Sequence, residues 1–208
     1  IAETINRELS LPKEERDEGA ELPWWKRYSH DAEWSWSGAH EIIAEYLGAP
    51  EPVWDEGSHS WWQDREHHLE WVKSAADVAR IKVPVWEETA PVARMLEARE
   101  RWNEAFPGNP ATWGTPGYPA FVDLGMYVVG TTRFFTILGG EPALAMALMD
   151  KCFELGASYA EFVRRQAPEA NRPPDLVGFG GDACCLLSPA LYERYGIGFD
   201  RMLLQYLK

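Results

Sequence analysis

Residues Leu176 to Tyr195 read LVGFGGDACCLLSPALYERY, and the fold class turns on this stretch. Leu176, Val177 and Phe179 form a short apolar run, the pattern of a brief buried strand. Gly178, Gly180 and Gly181 let the backbone approach a neighbour closely or adopt positive φ. Asp182 then stands at the strand's carboxyl end. Ser188-Pro189 is a helix start, with Ser as cap and Pro in the first helical position. The spacing predicts a helix over Ala190 to Tyr206, weakened by Gly196 and Gly198. A carboxylate between a strand's end and a helix is where parallel α/β folds keep their sites.

Upstream, Glu141-Pro142 opens a long helix to Gln166, with Leu144, Leu148, Cys152, Leu155, Tyr159 and Phe162 on one face. Phe121 to Val129 reads as an apolar helix. Ahead of it, Ala111 to Gly114 is a short strand leading to the turn Gly114-Thr115-Pro116-Gly117-Tyr118-Pro119. From Ala111 the order is strand, helix, helix, strand, helix, which predicts βα units and parallel pairing. Val92 to Phe106 carries an apolar stripe of Met95, Leu96, Ala98, Trp102 and Phe106; Asp77 to Ile81 is also helical by pattern. Gly38 to Leu47 is amphipathic through Ile42, Ile43, Tyr46 and Leu47, and Gly48 ends it.

The first third differs in character. Ile1 to Ala20 is a charged arm or surface helix, and residues 1–70 hold most of the eleven tryptophans. We divide the chain into this Trp-rich charged region, 1–70, and a second region, 71–208. A wall of indoles suits a flat ligand and equally suits a protein interface. Trp54 and Asp55 lead through Glu56-Gly57-Ser58 to His59, a polar loop packed by its tryptophans or the rim of a pocket. His67-His68 lies in EHHLE, which is not HExxH; a solvated helix face is the plainer account.

The totals bound the function. A formal charge of −13 argues against binding nucleic acid through phosphates or resting on an anionic membrane. No apolar run approaches the ~20 residues of a membrane span. The cysteines at 152, 184 and 185 form no disulfide framework, so a reducing cytoplasm is the expected location. The chain begins with Ile and stops at Lys208 inside or just after a helix, so further strands, or another chain in a homo- or hetero-oligomer, are expected to complete the fold.

Three segments resemble the uroporphyrinogen decarboxylase superfamily. GGD…LSPALYERY is similar to its "GDD…SPelYref" segment. Val72-Lys73-Ser74-Ala75-Ala76-Asp77 through Pro84 resembles "v.s.eDla.l..P". Gly117-Tyr118-Pro119-Ala120-Phe121 through Gly140-Glu141-Pro142 resembles "GPf..a..l.G…dPe". The resemblance spans Trp71 to Lys208. It implies an α/β fold, the (β/α)8 TIM barrel, with part of the barrel in this chain. It implies methyl transfer with a corrinoid or a small methylated substrate, acting with zinc and a corrinoid protein. The alternative is a cofactor-free uroporphyrinogen-type decarboxylase, although the family's Arg-rich "RxxGRxxPEY" segment is not found here. A third reading, a non-catalytic barrel subunit, comes from the Trp-rich region.

On these grounds Asp182, Tyr118 and Asp55 are the catalytic candidates. Asp182 at a barrel mouth would be partly desolvated and act as an acid; otherwise it is a turn Asp bonded to its own backbone. Tyr118 offers a phenol to an anionic or carbonyl group, or simply packs on its turn. His59, Trp54, Arg133 and Phe179 are the substrate-binding candidates. Cys184 or Cys185 could give one thiolate to zinc, but adjacent cysteines do not easily both ligate one tetrahedral ion, and the family's "HxC" element is not in this chain.

Overall fold

The computed structural model of the chain describes residues 35–36, 39–48, 54–55, 58–59, 69–105, 107, 111–113, 117–119, 121–166, 178–180 and 182–206. In order these form β1 (Ser35–Trp36), α1 (Ala39–Tyr46), β2 (Trp54–Asp55), β3 (Ser58–His59), α2 (Ala75–Val78), a 3-10 turn (Trp86–Glu88) and α3 (Ala90–Ala105). Then come β4 (Thr112–Trp113), β5 (Gly117–Pro119), α4 (Phe121–Val129), α5 (Thr131–Gly140) and α6 (Pro142–Gln166). After β6 (Gly178–Gly180) stand a 3-10 helix (Asp182–Leu186), α7 (Pro189–Leu191), a π-helical segment (Tyr192–Gly196) and α8 (Ile197–Tyr206).

This is a helical fold, and the expectation of a (β/α)8 barrel is overturned. The described strands are two or three residues long and fall in three separate two-stranded pairs: β1 with β4, β2 with β3, and β5 with β6. A barrel needs one closed sheet of eight. The reason lies in composition. β5 is Gly-Tyr-Pro and β6 is Gly-Phe-Gly, and Gly and Pro both weaken a ladder. Two parallel pairings do form: β1 with β4, and β5 with β6 in the register Tyr118↔Phe179. Three consecutive helices connect β5 to β6.

Those helices carry the core. All six residues read as the inward face of α6 are buried, with Leu148, Cys152, Leu155 and Phe162 fully enclosed. α4 is buried almost all round, from Phe121 to Val129. It ends at Gly130, whose φ of 84° admits glycine readily, and the chain bends there by 112° into α5. No single helix among the described residues is long and apolar enough to cross a membrane.

The α5 helix is not legible in the sequence because TTRFFTILGG has poor helix propensity. Burial of Phe134, Ile137 and Leu138 overrides that. Phe121, Phe134 and Phe199 tie α4, α5 and α8 together, with ring centroids 5.3 Å apart for Phe121–Phe134 and 5.9 Å for Phe121–Phe199. Phe153 of α6 meets Phe199 edge-on. The helix α1 joins the same core through Ile42, Ile43 and Leu47 and stops at Gly48, φ 97°, as its sequence indicates. The 3-10 turn buries Trp86, whose indole donates to Ser158 Oγ of α6 at 3.0 Å.

Candidate functional site

Two parallel strands end at the same edge, so the segments leaving β5 and β6 emerge side by side. β5 ends at Pro119, and the α4 helix begins at Phe121. β6 ends at Gly180, and the 3-10 helix begins at Asp182. The α4 helix and the 3-10 helix pack together, and the π segment also packs on α4.

Asp123 lies in the first turn of α4 and is 5 % exposed, the one buried acid of the described core. Its place at a helix N-terminus favours the negative charge. Cys184, half-buried in the 3-10 helix, feels it. Burial pushes the Cys184 thiol up to about 11, with further push from the carboxylates of Asp123 and Asp200 and from Cys185. The thiol is therefore neutral near pH 7.

Asp200 comes from the third side, on α8 beside the buried Phe199. Burial raises its carboxyl above the usual carboxylate value, partly offset by a hydrogen bond from Tyr192. The Tyr192 hydroxyl donates to Asp200 Oδ2 at 3.3 Å, and the negative charge on Asp200 raises that phenol in turn. Two carboxyl groups, a thiol and a phenol from four helical elements thus lie within electrostatic reach of one another. The stacked rings of Phe121 and Phe199 join two of those elements, α4 and α8.

The residues chosen from sequence fall partly on this edge. Asp182 opens the 3-10 helix, and Tyr118 and Phe179 are paired partners in β5 and β6; the side chains of all three lie outside the described residues. Trp54 pairs with His59, and Asp55 with Ser58, in the antiparallel β2–β3 pair; their side chains also lie outside the described residues. Arg133 sits near the start of α5, half-buried, with no hydrogen-bond partner for its Nε among the described residues. His67 and His68 lie outside the described residues.

Sequence reading misses Asp123, Tyr192 and Asp200. A signal for Asp123 does exist: a lone acid in the apolar run FVDLGMYVV is costly unless it serves something. Asp200 gives no such signal, since acids are ordinary on an amphipathic helix.

The described residues bring together no donor set for the zinc ion implied by the resemblance. Among the described residues no three His, Cys, Asp or Glu side chains converge to hold a metal, and Cys185 is exposed to solvent. The side chain of Trp54, a substrate-binding candidate, lies outside the described residues.

No family model matches the chain, and no curated protein or solved structure matches it. The superfamily resemblance rests on the quoted segments alone.

Proposed function

We propose that the edge where β5 and β6 end binds a small molecule through an ammonium or other N–H group. In this reading Asp123 and Asp200 hold the positive end, and Asp200 is the group that gives or takes a proton. The observation that carries the proposal is the thiol of Cys184: carboxylates from two different helices bear on it, so the edge carries concentrated negative charge in partly desolvated surroundings. Such a place favours a cation or N–H donor and disfavours a carboxylate guest.

The test is a titration monitored by NMR shifts, with benzylamine against benzoate as the matched anion. Benzylamine should perturb α4, the 3-10 helix and α8 saturably, and benzoate should not. Asp123→Asn combined with Asp200→Asn should weaken the amine at least ~10-fold, the loss of about 1.4 kcal/mol of charge pairing. Equal response to both probes, or none to either, would sink the reading.

A further inference from the structure

The π-helical segment sets one residue against another in a way the proposed site uses. Tyr192, Gly196 and Asp200 stand four residues apart, forming one stripe up the run from Tyr192 to Tyr206. Helical side chains ordinarily lean toward the N-terminus. The Tyr192 phenol instead reaches forward, past Gly196, to Asp200 Oδ2 at 3.3 Å. Gly196 makes that possible. A Cβ at 196 would stand 2.4 Å from Tyr192 Cδ2 and 2.6 Å from Cε2, so the ring lies where any other side chain would begin. A π segment in place of regular helix is a costly local choice, and such segments gather at functional positions.

We infer that Tyr192 is the positioning residue for Asp200 and that Gly196 is the opening through which it acts. This rests on the reading of Asp200 given above. The phenol caps the carboxylate on its outer side and steadies the ionised form against burial by Phe199 and its neighbours. The surrounding charges leave this role to Tyr192. From the 3-10 helix comes the neutral Cys184 thiol, and from α4 comes Asp123, which acts with Asp200 on that thiol. On its own run stand Glu193, Arg194 and Arg201, all exposed. From α6, Phe153 lies against Phe199 and Met149 Sδ lies 3.6 Å from where a Cβ on Gly198 would be, while Glu161 accepts from Tyr206 at the far end of α8 at 2.9 Å.

The experiment is a carboxyl-carbon NMR titration of Asp200 in the full chain, for wild type, Tyr192→Phe and Gly196→Ala, with Gly198→Ala as control. Removing the phenol's hydrogen bond should move the Asp200 midpoint upward by ~0.5 unit, about a threefold gain in proton affinity. Gly196→Ala should move it the same way, because it displaces the ring. Gly198→Ala meets only ordinary contact and should leave it in place. Benzylamine binding by Tyr192→Phe should be weaker than wild type at mildly acidic pH and recover at pH 8, which a purely structural defect would not do. An unmoved midpoint in Tyr192→Phe, or an equal shift in Gly198→Ala, overturns the inference. A moved midpoint with no amine binding in wild type would sustain it and reject the proposed ligand instead.

Discussion

The ring of Phe134 lies directly over Gly125: a Cβ added there would stand 2.0 Å from Phe134 Cε2. This contact lets α5 fold back on α4 after the bend at Gly130. The fully buried Phe134 has little room to retreat, because Phe121 is against it on the same side. Gly125→Ala should therefore destabilise the chain by ~1–3 kcal/mol through overpacking, although alanine is the better helix former. Urea unfolding with an unchanged slope and a lower midpoint is the expected result. A stability equal to wild type would show that α5 sits less tightly than the distances indicate.

Ser158 supports a second buried ring. Its hydroxyl accepts from the Trp86 indole at 3.0 Å and donates to Leu155 O at 2.9 Å. Trp86 is 2 % exposed, so Ser158→Ala strands an indole N–H in an apolar place. The expected cost is ~1–3 kcal/mol. Trp86→Phe in the Ser158→Ala background should recover part of it, because the orphaned donor is gone. Measured by urea unfolding, a double variant no better than Ser158→Ala would assign the cost to packing alone.

Some features are legible in the sequence and others are not, depending on which residues speak locally. The six residues of the α6 stripe, Leu144 to Phe162, repeat at helical spacing, and all of them are buried as read. Ser188-Pro189 and Gly48 mark helix ends by local chemistry, and both do so here: Ser188 Oγ accepts from Leu191 N at 3.3 Å. The barrel, by contrast, rests on the order of elements and on resembling segments. Neither carries the length of a strand, and Gly-Tyr-Pro and Gly-Phe-Gly are too weak to extend. At the site, Cys184 stands out in the sequence as a metal candidate, but its partners Asp123 and Asp200 are 61 residues before it and 16 after it, so only tertiary packing brings them to bear. Gly196 reads as a weak point in a helix; the ring that needs its space is invisible to propensity.

Asp200 ties the site to stability. Its carboxyl is raised in the fold, so between the ordinary value and the raised one the native state keeps a proton that the unfolded chain has released. Its contribution to stability is full below the unfolded value and is lost as pH rises through the native one. Asp200→Asn stays neutral throughout. It should melt higher than wild type at pH 7, and the difference should shrink toward pH 3. A gap between the two melting curves that is independent of pH would remove burial as the cause of the shift.

Tyr195 offers a simpler test of buried polarity. It is fully buried, and its hydroxyl has no hydrogen-bond partner among the described residues. Tyr195→Phe keeps the ring under the Arg194 guanidinium, whose carbon is 5.2 Å from the ring centroid, and removes the unsatisfied group. The variant should be as stable as wild type or gain up to ~1 kcal/mol. A loss of that size in thermal unfolding would mean the hydroxyl is bonded in solution.

The charge at the site can be read through Cys184 itself. Alkylation by iodoacetamide proceeds through the thiolate, so its rate tracks the fraction ionised. In a Cys185→Ser background the remaining thiols are the half-buried Cys184 and the enclosed Cys152, and peptide mass spectrometry separates them. The Cys184 rate should be slow at pH 8 and still climbing beyond pH 10, as a thiol at about 11 requires. Asp123→Asn and Asp200→Asn should each shift the climb to lower pH, because each removes a negative charge that opposes ionisation. Burial alone would give a high midpoint that neither substitution moves. A plateau near pH 9 would mean that the two carboxylates do not bear on the thiol, and the acidic edge between β5 and β6 would lose the observation that carries its proposed function.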